Sequence, residues 1–303
     1  MTHFLYVPFT GLGLRGGYRG DTWLKNRIRI FKAFTLQSIL NQSNKNFVLW
    51  ISWRPEDRDN PIVQEFERHL EQVCAAGWPL GIWFVFTYSG PCFWDDKFEN
   101  DQLLERLKAT LPELGGYVAG EHVLMTIYPS DDMYLSDMVE TMQNWPSDNI
   151  DVMGYLDGYI MQYSTKKLAE YNPETKPPFF TIRFPAKVFL DAKAHYDFTG
   201  PYKSHEYVGD DMRYMALPGR GFVVGTHGEN ISTVFNHPYK GRELSPTSDE
   251  YETVLYKTGT YYSDPLVTRK GLRLWARHIA NLLPFERVLR ALYHSLPSKY
   301  QKL

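Results

Sequence analysis

The sequence predicts an α/β protein with a mostly parallel central sheet flanked by helices and a helical extension at its C-terminal end. Two observations predict this class. The 303-residue chain is 43% hydrophobic and 22% charged, which is typical of a chain that buries a sizeable core. In its first half, apolar segments with strand character alternate four times with segments of helical spacing, as is typical of parallel sheets.

The elements of the first half follow each other closely. Residues 3–9 form the first predicted strand, and residues 23–41 carry apolar side chains at helical spacing after a glycine-rich turn. Further strands are predicted at 47–53, 80–88 and 122–128, and helices at 60–75, at 100–111 and from about residue 133 to Trp145. Because such sheets bind ligands outside the carboxyl ends of their strands, we expect function in the loops at 9–21, 53–59, 88–96 and 128–133.

The second half has a less regular pattern. Strands are predicted at 158–164, 179–184 and 221–226, and a helix at 185–196. The stretch 236–264 shows no clear period, so we expect a long loop there. Two amphipathic helices are predicted at 271–283 and 285–296, on either side of Pro284.

Charge and cysteine content restrict the partners and the compartment. The chain has 33 basic and 35 acidic residues, which excludes the strongly basic surface of a general nucleic-acid binder. Cys74 and Cys92 are its only cysteines, too few for a disulfide framework or a zinc site, and the N-terminus lacks a signal-peptide pattern. We therefore expect a cytoplasmic protein without a nucleic-acid partner.

The sharpest chemical signal is the acid pair Asp131–Asp132, which follows the predicted strand 122–128. Two converging carboxylates repel each other unless a cation lies between them. Mg²⁺ or Mn²⁺ uses one or two protein carboxylates and keeps positions for phosphate oxygens. The pair thus predicts a divalent metal site, although the same acids could instead cap the following helix and complement its dipole.

Other polar residues are candidates for the same site. His227 can be a third metal ligand, and Asn230 can bond a substrate hydroxyl, although both could be plain loop residues. Asp210 and Asp211 can supply a general base, or they belong to a solvated turn. Arg27 can pair with phosphate, or it belongs to a charged helix face.

The C-terminal segment 266–303 carries eight basic side chains and one acidic side chain, Glu286. Its predicted helices could lie on an anionic membrane surface, which would make the protein peripheral on the inner face of a membrane. They could equally pack their apolar stripe on the preceding domain and leave the charges in water.

The order and spacing of several motifs resemble a known family. Residues 23–51, which include Phe34-Thr35-Leu36 and the strand Asn46 to Ile51, resemble the opening of rhamnosyltransferases of the GT-A type. The family's Thr-Arg-Leu-Asp-x-Asp-Asp motif corresponds to Thr126 to Asp132, and its His-Gly-x-Asn motif corresponds to His227 to Asn230. Here Ile127 and Pro129 replace the motif's arginine and first aspartate, which removes one cation and one potential metal ligand.

The resemblance covers roughly residues 20–235 and implies a GT-A glycosyltransferase domain over residues 1–265. Its nucleotide-sugar half would span about 1–132 and its acceptor half about 133–265. The implied reaction is metal-dependent, inverting transfer from a nucleotide-diphosphate sugar to a saccharide or lipid-linked saccharide acceptor, as in polysaccharide biosynthesis.

The resemblance also implies roles for the candidate residues. Mn²⁺ or Mg²⁺ at Asp131 and Asp132 would bridge the donor diphosphate, with His227 completing the metal shell. Asp210 or Asp211 would be the catalytic base. The remaining donor contacts would come from Arg27, Glu56, Asp57 and Asn230, with Glu56 and Asp57 at the nucleobase or ribose.

Two other functions remain open from the sequence. A non-catalytic sugar- or nucleotide-binding protein could use the same scaffold after losing its metal centre at Pro129. A metal-dependent phosphohydrolase or nuclease could use the same acids on a water nucleophile, although it would want more carboxylates in its metal site.

Overall fold

The computed structural model describes residues 1–9, 20–75, 82–88, 100–192, 205–210, 212–227, 230 and 233–266. The strands are β1 (Thr2–Pro8), β2 (Phe47–Ser52), β3 (Ile82–Thr87), β4 (His122–Ile127), β5 (Met133–Tyr134), β6 (Val152–Gln162), β7 (Lys167–Tyr171), β8 (Phe180–Pro185), β9 (Tyr214–Thr226) and β10 (Lys240–Glu243). The helices are α1 (Asp21–Ile30), α2 (Leu36–Leu40), α3 (Pro61–Ala75), α4 (Asn100–Leu114), α5 (Met138–Gln143), α6 (Ala186–Phe189) and α7 (Asp249–Lys257). None of the helices within these ranges has both the length and the apolarity that crossing a membrane requires.

The ten strands of the described residues belong to one sheet, and the predicted α/β class with flanking helices is confirmed. The order β3-β2-β1-β4 is parallel throughout. Beyond β4 the order continues as β8-β6-β7-β10 with antiparallel pairs, while β9 runs parallel to β6 and antiparallel to β5. The sheet is therefore mixed, because short connections such as residues 163–166 between β6 and β7 can join only antiparallel neighbours.

The parallel half is covered on both faces. Along β1, Leu5 and Val7 belong to the core cluster that includes side chains of α1 and α3, whereas Phe4 and Tyr6 belong to the cluster that includes α4. Successive side chains of a strand point to opposite faces, so β1 is buried along its whole length. This double burial explains why the first strands have continuous apolar sequences.

Helices α1 and α2 form one continuous helix because a π-helical turn, Phe31–Thr35, joins them. This confirms the helix predicted at 23–41. A π turn accommodates one extra residue in the helical path and is frequent at functional sites. Here it brings Thr35 to the segment that follows β4 and Phe34 against Tyr163, which follows β6.

Several predicted elements differ from the structure. The helix predicted from about residue 133 to Trp145 is wrong at its start, because β5 precedes α5. The region 236–264 is not one loop but contains β10 and α7, and the Ser248 side chain caps α7 by accepting a hydrogen bond from Tyr251 N. The predicted helix at 185–196 is described only as far as α6 and residue 192. The basic helices at 271–283 and 285–296 lie outside the described residues.

A buried histidine links β1 to its neighbours. His3 is 2% exposed, and its Nδ1 accepts a hydrogen bond from Gln143 Nε2 at 3.3 Å. Its Nε2–H therefore donates to Thr126 Oγ1 at 2.7 Å, and Thr126 shares a further hydrogen bond with Thr181. The ring is thus neutral in the folded protein, and burial lowers the pKa of His3 to about 3.

We expect His3 to make folding pH-dependent. In the unfolded chain the ring protonates near pH 6.5, so its contribution to the free energy of unfolding is complete above that pH and is lost as the pH falls towards about 3. The loss should reach about 2 kcal/mol between pH 6.5 and 4.5. Urea unfolding of wild type and His3→Gln across this range gives the free energy of unfolding at each pH. It should fall more steeply with falling pH in wild type than in the variant, and identical slopes would contradict the expectation.

Candidate functional site

The candidate site lies where β4 and β9 end and where the last turn of α1 reaches them. Ser130, Asp131 and Asp132 follow β4 within a few residues, and His227 directly follows β9. Arg27 extends from the last turn of α1. These residues come from three separate parts of the chain and meet at the edge of the sheet where parallel strands present their carboxyl ends.

The Asp131 carboxylate is the centre of the cluster. Its Oδ2 accepts hydrogen bonds from Arg27 Nη1 at 2.5 Å, His227 Nε2 at 2.9 Å and Asn230 Nδ2 at 3.3 Å. The side chains of Arg27 and Asp131 are 11% and 12% exposed, and that of His227 is fully buried. The cluster is therefore a largely desolvated ion pair with additional polar partners, in which charge-assisted hydrogen bonds are strong.

The two aspartates have opposite acid–base properties. Burial alone would raise the pKa of Asp131, but Arg27 and His227 outweigh burial and lower it to about 2. Burial and the neighbouring Asp131 charge raise the pKa of Asp132 well above its ordinary value. The Asp132 carboxyl group faces β9, where its Oδ1 accepts a hydrogen bond from Gly225 N at 2.8 Å. Asp131 therefore holds its negative charge more firmly than Asp132 does.

The backbone at Asp131 is held by a tyrosine that follows β6. The Tyr163 hydroxyl donates to the Asp131 carbonyl at 2.7 Å, and the Tyr163 ring stacks on Phe34 with centroids 3.7 Å apart. A Cβ atom at position 225 would overlap both the Asp131 carbonyl oxygen and the Tyr163 ring. Only glycine at this position allows β9 to approach the acid pair so closely.

Ser130 connects the helix to the same segment. Its hydroxyl accepts a hydrogen bond from Arg27 Nε at 2.9 Å, and its carbonyl accepts one from Thr35 Oγ1 at 3.3 Å. Trp23 lies beside the guanidinium, with its ring 6.0 Å from Cζ of Arg27. Arg27 is therefore fixed in orientation by contacts on several sides.

The structure brings together five of the predicted site residues. Arg27, Asp131, Asp132, His227 and Asn230 form one cluster, as described above. The capping interpretation of the acid pair is wrong, because the next helix, α5, begins only at residue 138.

Glu56 and Asp57 lie in a 3₁₀ turn directly after β2, on the same edge of the sheet. Asp57 is buried and accepts two hydrogen bonds from Arg54, at 2.9 and 3.2 Å. Its carboxylate therefore stabilises the turn. Glu56 is exposed, and its contact with a nucleobase or ribose stays a prediction.

Asp210 is not brought to the cluster. It is exposed and precedes β9, whereas the acid pair lies at the other end of this strand. The 13 residues of β9 span about 40 Å when extended at about 3.3 Å per residue. The structure therefore does not place Asp210 beside Asp131, and Asp211 lies outside the described residues.

The residues of the cluster do not fit the predicted metal site. Within the described ranges, no group of three or more His, Cys, Asp and Glu side chains is arranged to hold a metal ion. Oδ2 of Asp131 accepts hydrogen bonds from the nitrogen atoms of Arg27, His227 and Asn230, and the Arg27 guanidinium is cationic. Oδ1 of Asp132 accepts a hydrogen bond from the β9 backbone. The positive charge next to Asp131 is a guanidinium.

Gly225, Tyr163, Phe34 and Thr35 support the segment after β4, and none of them was predicted as a site residue. A glycine inside an apolar strand often marks the close approach of another backbone, so Gly225 carried a usable signal. Tyr163, Phe34 and Thr35 carried none, because their contacts depend on how β6 and the π turn pack on the segment after β4.

Comparisons with known proteins give only distant similarities. No protein-family model matches the chain. No curated protein matches it either. Mouse xyloside xylosyltransferase 1 in its apo form is similar over 71% of this chain and 84% of its own, with 8% identity and a TM-score of 0.35.

Two further solved structures have similar values. The inositol-1-phosphate CTP transferase from T. maritima matches 88% of this chain and 98% of its own, with 11% identity and a TM-score of 0.36. The 4-diphosphocytidyl-2C-methyl-D-erythritolsynthase from Anaerococcus prevotii matches 85% of this chain and 96% of its own, with 12% identity and a TM-score of 0.31. Such low values assign neither a family nor a reaction, so a functional assignment has to come from the residues of the site.

Proposed function

We propose that the protein is a glycosyltransferase that moves a sugar, with inversion, from a nucleotide-diphosphate sugar to a hydroxyl of a saccharide or lipid-linked saccharide. The observation that carries the proposal is the largely buried guanidinium of Arg27, held by Asp131 at the carboxyl ends of parallel strands. Open parallel sheets bind their ligands at this edge. Arginine forks match phosphate oxygens in geometry and charge.

Arg27 keeps donor capacity for such a ligand. Arginine has five N–H donors, and the contacts of Arg27 with described residues use its Nε and Nη1 nitrogens. The Nη2 amino group makes no hydrogen bond within that part of the chain. Its two N–H groups are therefore suited to bind an oxygen of the donor diphosphate.

The nucleoside half of the donor would lie at the ends of β2 and β3. Glu56 is exposed after β2, and Tyr88 directly follows β3 with the guanidinium of Arg58 4.8 Å from its ring. An aromatic ring beside an exposed cation suits stacking of a base. Both positions are on the same edge of the sheet as the Asp131 cluster.

The reaction needs charge stabilisation at the diphosphate. The bond between the sugar carbon and the diphosphate oxygen breaks, the acceptor oxygen bonds to that carbon, and the acceptor proton moves to a basic group beside the acceptor. Negative charge grows on the leaving diphosphate. A positioned cation that needs no rearrangement stabilises such charge effectively, and Arg27 is held in this way.

A binding screen followed by a product assay tests the proposal. We expect one of UDP-, GDP- or dTDP-sugars to raise the melting temperature, as a ligand specific for the folded state must. That sugar nucleotide should then release its nucleoside diphosphate in the presence of a saccharide acceptor. Binding without release with any acceptor would support the non-catalytic alternative, and no thermal shift with any sugar nucleotide would contradict the proposal.

A further inference from the structure

We propose that Arg27 replaces the divalent metal ion at this site, so that the donor diphosphate binds without metal. This inference rests on the proposed function, because it concerns the same ligand. It starts from a disagreement within the molecule: the acid pair predicts a metal site, yet the cation beside Asp131 is a side chain of the protein.

The position of the guanidinium conflicts with a metal ion on Oδ2 of Asp131. A divalent ion bound to Oδ2 would lie about 2.1 Å from that oxygen, as Mg²⁺ does in proteins. Arg27 Nη1 is 2.5 Å from the same oxygen, and Nε2 of His227 is 2.9 Å from it. Metal and guanidinium would therefore be close like charges that compete for one acceptor.

The Asp132 side chain is hydrogen-bonded to the β9 backbone and not to Arg27. Its carboxyl group is turned to β9, where Gly225 N donates to Oδ1 at 2.8 Å. Position 129, where the resembling family has a further aspartate, is a proline in this chain. Of the two acids, only Asp131 is hydrogen-bonded to Arg27, His227 and Asn230.

Arg27 is held in a fixed position by hydrogen bonds to two adjacent residues. Its Nε donates to Ser130 and its Nη1 to Asp131, and Ser130 and Asp131 are adjacent on the segment after β4. Ile127 occupies the place of the family motif's arginine and is buried in the core. The guanidinium of this site thus comes from α1 instead of from the acid motif.

Calorimetric titration of the 303-residue protein with UDP, GDP and dTDP, each in excess EDTA and in excess MnCl₂, tests the inference. We expect the nucleoside diphosphate that binds to have the same affinity in both buffers. Arg27→Lys should weaken binding about tenfold, because lysine keeps the charge but not the fork. Arg29→Lys, an identical change at an exposed position of the same helix, should leave binding unchanged.

A second variant tests whether guanidinium and metal compete. Arg27→Gln removes the cation from Asp131, so Mn²⁺ should now bind, and electron paramagnetic resonance should detect bound Mn²⁺ in Arg27→Gln but not in wild type. Circular dichroism confirms that each variant is folded. Mn²⁺ binding by wild type, or loss of its nucleotide binding in EDTA, would overturn the inference while the proposed function stands. Failure of all three nucleotides in both buffers would overturn both.

Discussion

Replacing Asp131 by alanine is expected to lower the free energy of unfolding by about 3–5 kcal/mol, the usual cost of leaving a buried charge without its partner. The variant removes the common acceptor of Arg27, His227 and Asn230. Arg27, with a side chain only 11% exposed, cannot regain full hydration in the folded state. Urea unfolding at neutral pH measures the loss.

Asp137→Ala is the matched control for this prediction. Asp137 pairs with Lys257 at 3.0 Å, but the two side chains are 51% and 40% exposed, so the change should cost no more than about 1 kcal/mol. The double variant Arg27→Met/Asp131→Ala should lose less than the sum of its single changes, because both charges are then absent. An Asp131→Ala protein as stable as Asp137→Ala would show that the cluster does not stabilise the fold.

Gly225→Ala is expected to have the second large effect. The added Cβ would overlap the Asp131 carbonyl oxygen and the Tyr163 ring, and neither can move without separating β9 from the acid segment. Overpacking of this kind costs about 1–3 kcal/mol, and contact with a backbone atom favours the upper end. The shift of Asp131 should also weaken nucleotide binding.

Gly116→Ala provides the comparison for this steric argument. Gly116 lies in the 3₁₀ turn after α4, and a Cβ there would meet none of the described atoms within 4 Å. The free energy of unfolding of Gly116→Ala should differ from that of wild type by no more than about 0.5 kcal/mol. Thermal melts and nucleotide titration of both variants decide the matter, and equal stability of the two would refute the close approach at position 225.

The parallel half of the sheet could be predicted closely from the sequence. Strands buried on both faces have continuous apolar sequences, and the helices between them keep one apolar side, so that the predicted strands at 47–53 and 122–128 end within one residue of β2 and β4. Those two signals are local, and nothing in the tertiary structure overrides them.

The other half depended on contacts that no local pattern reveals. β10 is short and polar because it pairs only with β7 at the end of the strand order. The apolar residues at 133–135 resemble the start of a helix, but Met133 and Tyr134 pair with β9 instead. Pairing partners distant in sequence decide such segments, so their composition alone predicted them wrongly.

For the site, the residues could be predicted from the sequence, but the contacts between their side chains could not. The sequence pointed to Arg27, Asp131 and His227 separately, and chemistry suggested a metal between the acids. It could not show that a guanidinium 104 residues away lies on Asp131, or that Asp132 turns to the backbone of β9. Those contacts follow from the packing of α1 on the segment after β4 and from the small size of Gly225.

The place of β1 in the strand order has a consequence for biosynthesis. This strand leaves the ribosome before β2 and β4, yet it lies between them, and its second neighbour is complete only after Ile127 has been added. Nascent chains expose such unpaired apolar strands to aggregation. Early intermediates should therefore need protection by chaperones until the fourth strand has emerged.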